Sequence, residues 1–222
     1  MHKIAELLAK DEPLNPALRP YIIEGTPLGQ MINHPLIQEI AYRKELNAFI
    51  NERYRHKLAA LDQAIRERAW MSVICLHERP YRLNALLGHA GHMNHVEYWE
   101  AVGYAWTDSE NIWQNYEHWR SLWECPRPSK HSCMGDDEQT GLAKLPQVMT
   151  VYRGIHAKGI SKRGKRKGLS WTLDREKARW FASRWKQEPQ KILEGTVKKS
   201  HVHAHFLGRG ELEIVATEVH VK

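Results

Sequence analysis

The sequence predicts an α+β protein in which a helical N-terminal region precedes a small, mixed, β-rich region. Between residues 38 and 123, apolar residues recur every three to four positions in several stretches, which is typical of amphipathic helices. After residue 147, short apolar runs alternate with glycine-containing turns, which is typical of strands. Charge changes at the same place. Residues 148–222 contain 17 Lys and Arg against 7 Asp and Glu, whereas the preceding residues contain 16 against 19.

The N-terminal segment, residues 1–36, contains five prolines at positions 13, 16, 20, 27 and 35. Proline lacks a backbone N–H and disrupts both helix interiors and central strands. We therefore expect a Pro-rich extended arm along the body of the protein. Residues 1–10 could form one short helix.

Residues 38–70 form the longest predicted helix. Its apolar stripe consists of Leu46, Phe49, Ile50, Tyr54, Leu58, Leu61 and Ile65. Residues 71–76 either extend this helix or form a strand. Two further helices are expected over residues 96–106 and 109–123, the second of them capped by Thr107 and Glu110. Along the second helix, Trp113, Tyr116, Trp119 and Trp123 form an aromatic ladder, which indicates core packing or, alternatively, stacking on nucleobases.

Two groups of potential metal ligands occur in the sequence. His89, His92 and His95 would share one face of a helix, but Gly88 and Gly91 disfavour a helix there, so a solvated loop is expected. Cys125 and Cys133 flank His131, but this spacing fits no standard zinc pattern and no fourth ligand is evident. We predict no metal site.

The segment 125–139 is rich in Pro, Ser, Gly and charge, which indicates a linker. It suggests a boundary near residue 140, with a helical region at 1–140 and a β-rich region at 141–222. A basic loop follows at 158–168 and includes Lys165, Arg166 and Lys167. This loop either contacts phosphate or nucleic acid, or is a solvated run of charge.

The β-rich region has a regular predicted order. Strands are expected at 147–153, 168–172, 191–199, 201–207 and 211–221, with Gly154 ending the first and a turn at 208–210 preceding the last. Asp174 is positioned to cap a helix whose apolar stripe is Ala178, Phe181, Ala182 and Trp185.

Polar residues stand at strand positions where packing alone would not select them: Arg153, then Ser170 and Thr172, then Glu211 and Glu213. A cation, a pair of hydroxyls and two carboxylates form an electrostatically matched set. They would suit a polyanionic ligand whose reaction develops positive charge.

The order of these residues resembles the arginine–serine–glutamate class of mono-ADP-ribosyltransferases. That family includes bacterial toxins, host-modifying enzymes of phages and vertebrate ecto-enzymes. The resemblance covers about residues 147–217, through the YRG, GLSWTLD and GRGELEIV motifs. The same pattern is also similar to small phage and prophage proteins.

The resemblance implies a role for each polar residue. Arg153, with Gly154 beside it, would bind a phosphate of NAD and hold the nicotinamide ribose. Ser170 would orient the catalytic carboxylate, and Thr172 would support the strand geometry. Glu213 would stabilise the oxocarbenium-like transition state as nicotinamide leaves. Glu211, expected on the same strand face as Glu213, would position or deprotonate the acceptor.

The sequence therefore predicts an NAD-dependent mono-ADP-ribosyltransferase that acts on a macromolecular acceptor, with NAD as its substrate. In the family, a Glu-x-Glu pair is associated with arginine acceptors, so an arginine of a host protein is the first candidate. The alternative is a basic phage protein that binds nucleic acid or a host factor with an inactive transferase-like fold. A structural or inhibitory protein is a third option. The sequence shows no membrane span or signal peptide, so we expect a cytoplasmic protein, in the host cytoplasm if it is phage-encoded.

Overall fold

The computed structural model describes residues 10–109, 112–156, 168–184 and 190–222. Its mixed α+β architecture, with helices concentrated before residue 145, confirms the predicted fold class. The chain divides into two compact units. The first consists of Met1–Met93 and Tyr104–Glu110, and the second of Asn94–Gly103 and Asn111–Lys222. This division does not follow the compositional boundary near residue 140.

The described α-helices are α1 (Asn47–Arg66), α2 (Trp70–Leu76), α3 (Arg82–His89), α4 (His95–Thr107), α5 (Tyr116–Glu124), α6 (Asp136–Lys144) and α7 (Arg175–Ser183). The described strands are β1 (Ile22–Thr26), β2 (Gly29–His34), β3 (Ile37–Glu39), β4 (Val148–His156), β5 (Ser170–Thr172), β6 (Gln190–Lys198), β7 (Val202–Phe206), β8 (Glu213–Ala216) and β9 (His220–Val221).

In the first unit, β1, β2 and β3 form an antiparallel three-stranded sheet, so the predicted extended arm is wrong. The prolines flank the strands instead of interrupting them. Pro27 lies in the turn between β1 and β2, and Pro35 lies in the turn between β2 and β3. The sheet and α1 share a core of Leu14, Leu18, Ile32, Leu36, Ile37, Tyr42, Ile50 and Tyr54.

The first long helix is shorter than the sequence predicts, because residues 37–39 pair with β2 as a strand. Helix α1 begins at Asn47, and its predicted stripe turns Ile50 and Tyr54 into the core while Leu58 is exposed. The run after Arg68 forms a separate helix, α2, and not a strand. Arg68 has a positive φ of 56°, a backbone conformation that ends α1 before α2 begins.

The histidine segment is mostly helical, so the predicted loop is wrong, although His92 and His95 are solvent-exposed as expected. Helix α3 extends to His89, a 3-10 turn covers Ala90–His92, and α4 begins at His95. The rings of His89 and His92 both stack on the buried Trp70, with centroids 5.6 and 6.3 Å from it. This packing offsets the cost of placing glycine in a helix.

In the second unit, six strands form one antiparallel sheet in the order β7-β8-β5-β4-β6-β9. Strand β4 pairs with β6 along its full length, from Val148 opposite Lys198 to His156 opposite Gln190. Gly154 therefore lies within β4 and does not end it, and the last predicted strand is divided into β8 and β9. One face of the sheet carries a core of Met149, Val151, Ile155, Trp171, Leu193, Val197, Ile214 and Ala216.

The predicted linker 125–139 contains ordered structure, a 3-10 turn at Lys130–Cys133 and the start of α6. Within the aromatic ladder, Trp119 and Trp123 are fully buried, which confirms core packing for them, whereas Trp113 is exposed. The predicted cap at Thr107 is wrong, because Thr107 ends α4 and its hydroxyl donates to the Tyr104 carbonyl. The proposed partner, Glu110, lies outside the described residues.

Candidate functional site

A contact between Ser170 and Glu213 forms the centre of the candidate site. Strands β5 and β8 are antiparallel neighbours, with Thr172 opposite Glu213 and Ser170 opposite Val215. Side chains two residues apart on a strand share a face, so Ser170, Thr172 and Glu213 lie on the same side of the sheet. The Ser170 hydroxyl donates a hydrogen bond to the Glu213 carboxylate. Both side chains are half-buried, so this carboxylate is oriented and still reachable.

The second predicted carboxylate, Glu211, is not on the strand. Strand β8 begins at Glu213, and Glu211 instead ends a 3-10 turn formed by Gly208–Gly210. Between the two glutamates, Leu212 adopts a positive φ of 46°, which is unusual for a residue with a branched side chain. The expectation that both glutamates share one strand face is therefore wrong, because the chain turns at Leu212.

Thr172 holds this turn in place. Its buried hydroxyl donates to the Glu211 carbonyl over 2.6 Å and accepts a hydrogen bond from the Asp174 backbone N–H over 3.1 Å. One hydroxyl thus connects the turn that carries Glu211 to the beginning of α7. Since both bonds are internal, we assign Thr172 a positioning role and not a ligand contact.

Arg153, on β4, contacts the main chain of β5 beside this pair. Its Nη1 donates to the main-chain carbonyl of Ser170 over 3.0 Å, and its guanidinium lies against Gly168, where a β-carbon would overlap with it. Burial lowers the pKa of Arg153, while the nearby Glu213 carboxylate raises it. The interaction between a cation and a carboxylate is strong in such a partly desolvated place. The described hydrogen bond of Arg153 goes to the backbone of β5 and not to the Glu213 carboxylate.

Gly154, predicted beside Arg153 in the cofactor-binding set, has a different role in the structure. A β-carbon at this position would overlap with the carbonyl of Ala178 and the backbone N of Ala182 on α7. Gly154 therefore permits the close approach of α7 to β4. Trp171, on the other face of β5, is buried in the core.

Three residues around the site were not identified from the sequence. The Nδ1–H of His205 donates to the Glu213 carbonyl over 3.0 Å. The Glu138 carboxylate on α6 accepts from the Leu207 N–H over 2.9 Å, just before the turn that leads to Glu211. The phenol of Tyr116 interacts electrostatically with Arg153. These residues come from distant segments, and neither their spacing nor their composition signals a shared site.

A groove adjoins the site on the side of Glu211. It has a volume of about 550 Å³ and is lined by Asp174, Glu176, Lys177, Trp180, Arg184 and Glu211. Trp180 is 52% exposed, and the Arg184 guanidinium carbon lies 5.6 Å from the centroid of its ring. The groove therefore combines an exposed aromatic surface with a carboxylate of the Glu-x-Glu pair.

The predicted basic contact residues, Lys165, Arg166 and Lys167, lie outside the described residues. In the part of the chain that the structure describes, no group of three or more His, Cys, Asp or Glu side chains is arranged to hold a metal ion. His131 is exposed and Cys125 is half-buried, and burial raises the pKa of the Cys133 thiol to about 12.

The comparisons with known proteins identify no relative: no family model, no curated protein and no solved structure matches the chain. Among the described helices, none has the combined length and hydrophobicity that a membrane span requires.

Proposed function

We propose that this protein is an NAD-dependent mono-ADP-ribosyltransferase that modifies a macromolecular acceptor. The hydrogen bond between Ser170 and Glu213 is the observation that carries the proposal. It joins two residues that are 43 positions apart in the sequence. The transferase resemblance requires such a pair, in which a hydroxyl on one strand orients a carboxylate on another. Arg153, whose guanidinium donates to the Ser170 main-chain carbonyl, supplies a cation on the neighbouring strand β4.

The reaction breaks the bond between C1′ of the nicotinamide ribose and the ring nitrogen of nicotinamide. Nicotinamide leaves as a neutral base with the bonding electron pair, and positive charge develops on the ribose. The Glu213 carboxylate, held by Ser170, stabilises that charge and accepts a hydrogen bond from the ribose 2′-hydroxyl. Arg153 binds a phosphate of NAD through a charge-assisted contact.

Transfer is completed when a nucleophile on the acceptor forms a new bond to C1′ and loses a proton. Glu211 is suited to receive that proton or to position the acceptor, because its carboxylate lines the adjoining groove. A guanidinium acceptor, such as an arginine of a host protein, matches this carboxylate in charge. In the absence of an acceptor, water takes its place and the products are ADP-ribose and nicotinamide.

Incubation of the full-length chain with NAD labelled in the adenylate moiety, with and without host lysate, tests the proposal. We expect nicotinamide release and label transfer, both reduced at least about 100-fold in Glu213→Gln, since the variant lacks the charge that stabilises the transition state. Glu218→Gln is the matched control, because Glu218 is an exposed carboxylate outside the site. Wild-type protein that releases no more nicotinamide than Glu213→Gln would refute the proposal.

The nucleic-acid-binding alternative receives less support. It depended on the basic loop at 158–168 and on the aromatic ladder. Trp119 and Trp123 are fully buried, so these two rings offer no surface for stacking on bases.

A further inference from the structure

We propose that Trp180 determines acceptor specificity by stacking on the planar guanidinium of the acceptor side chain. This inference rests on the proposed transferase function and adds to it a residue outside the arginine, serine and glutamate motifs. It is carried by the geometry of α7 and by the groove that α7 forms with Glu211.

Helix α7 presents two different faces. Ala178 and Ala182 are buried against the sheet where Gly154 allows close approach. Glu176, Trp180 and Arg184 recur every four residues, so they form a single row along one side of the helix. All three line the groove. The Trp180 ring is therefore displayed at the groove and is not part of the core.

The position of α7 relative to Glu211 is set by hydrogen bonds. The Thr172 hydroxyl bonds both the Glu211 carbonyl and the Asp174 N–H, and the Asp174 carboxylate accepts from the backbone N–H groups of Glu176 and Lys177. The helix that carries Trp180 and the main chain of Glu211 are thus connected through Thr172. A ligand in the groove meets both the Trp180 ring and the Glu211 carboxylate.

The groove is lined by three carboxylates and two cations, those of Asp174, Glu176, Glu211, Lys177 and Arg184. Among them, Glu211 is the candidate partner for a cationic ligand. Asp174 caps the helix and Glu176 pairs with Arg179, so both of these carboxylates have internal partners. Within the described part of the chain, no side chain pairs with the Glu211 carboxylate. A cation that enters the groove would satisfy this carboxylate.

The Trp180 ring distinguishes among cations by shape. The Arg184 guanidinium already lies 5.6 Å from the ring centroid, within the range of a cation–π contact, while 52% of Trp180 stays exposed. A second planar guanidinium can stack on the exposed ring, whereas a compact ammonium group has no flat face to match it. We therefore expect a preference for guanidinium over amine acceptors.

The test uses the full-length chain, NAD and two small acceptors, agmatine, which carries a guanidinium, and putrescine, which carries only amines. We expect ADP-ribosylation of agmatine and not of putrescine. Trp180→Ala should raise the KM for agmatine about tenfold, because the variant loses one cation–π contact in a partly desolvated groove. The KM for NAD should stay within about twofold, because NAD contacts other residues.

Two variants make the result specific. Trp180→Phe, which keeps an aromatic face, should restore most of the affinity for agmatine. Ser183→Ala, on the same helix but outside the groove, should match wild type in both KM values. An unchanged KM for agmatine in Trp180→Ala, or equal transfer to putrescine and agmatine, would overturn the inference.

Failure of the inference differs measurably from failure of the proposed function. If wild type hydrolyses NAD in a Glu213-dependent manner but modifies no guanidine compound, the proposed cleavage of NAD is supported and the proposed role of Trp180 is refuted. If no Glu213-dependent nicotinamide release occurs, the proposed transferase function and the proposed role of Trp180 are both refuted.

Discussion

At the scale of single residues, the orientation of Glu213 depends on two donors. Its carboxylate receives the Ser170 hydroxyl, and its carbonyl receives the Nδ1–H of the buried His205. A hydrogen bond to an ionised acceptor contributes about 1.5–3 kcal/mol, more than a bond between neutral groups. The strand on one side, β5, therefore contacts the side chain of Glu213, and the strand on the other side, β7, contacts its backbone.

Ser170→Ala removes the donor to the carboxylate and leaves Glu213 itself in place. We expect kcat/KM for NAD consumption to fall about 10- to 100-fold, the rate equivalent of one charged hydrogen bond. The fall should appear mainly in kcat, because the bond orients the carboxylate for the transition state. Steady-state kinetics of nicotinamide release measure it. A change of less than about threefold would mean that Glu213 is oriented without Ser170.

At the scale of elements, α7 is the part that connects the sheet to the groove. It begins at Asp174, whose carboxylate accepts two backbone N–H groups, as the sequence predicts. Its approach to β4 depends on Gly154, because any β-carbon there would meet the backbone of α7 and not a side chain that could move. Since the atoms that an added β-carbon would meet belong to the backbone of Ala178 and Ala182, α7 would have to move away from the sheet to accept it.

Gly154→Ala should therefore lower the free energy of unfolding by about 1–3 kcal/mol, the usual cost of overpacking a core. Gly88→Ala is the opposite control. Gly88 is exposed in α3, and no neighbouring atom lies within 4 Å of an added β-carbon. Alanine there should raise the free energy of unfolding by up to about 1 kcal/mol through its higher helix propensity. Urea denaturation of both variants measures the two changes in the free energy of unfolding. Changes of equal sign and size would contradict our account of Gly154.

At the scale of the whole molecule, the half-buried His203 connects stability to pH. Burial, together with the Lys130 ammonium 3.2 Å from Nδ1, lowers the pKa of His203 from 6.5 to about 4. Because ammonium can only donate, Nδ1 accepts from Lys130 and Nε2–H donates to the Thr217 hydroxyl over 2.9 Å. Glu124 opposes the shift and His201 adds to it.

Between pH 6.5 and about 4, the unfolded chain binds a proton at His203 that the native state does not bind. Stability therefore falls as pH decreases through this range and stops falling from this cause below about pH 4. Between pH 7 and pH 5, we expect wild type to lose about 1–2 kcal/mol more than His203→Gln. Urea denaturation at the two pH values measures the difference. Parallel losses would show that His203 titrates normally in the folded protein.

The local chemistry of the chain made several features predictable. Alternating apolar residues indicated β6 and β7, and Asp174 followed by a three-to-four-residue stripe indicated α7. These signals are reliable because they depend on neighbours in the sequence. Ser170 and Glu213 were also identified from the sequence, because polar residues within apolar strands stand out.

Other features depended on distant partners. The prolines at 27 and 35 suggested an arm, but they lie in turns of a sheet whose pairing no local signal reveals. Local signals indicate that Gly154 ends a strand, although it is the point where α7 approaches β4. Glu211 and Glu213 were expected on one face, but Leu212 turns the chain between them. Each error arose where a contact between distant segments overrode local preference.

The amino-acid sequence by itself determined the α+β class and the order of a cation, a hydroxyl and a carboxylate along the chain, since composition and periodicity are local properties. Only the tertiary structure decided which of these groups meet. Pairing of β5 with β8 brought Ser170 to Glu213, and packing of α7 on β4 placed Trp180 beside Glu211 at the groove. The physical reason is that strand pairing and helix packing are selected by complementary surfaces across the whole fold, which no single segment encodes.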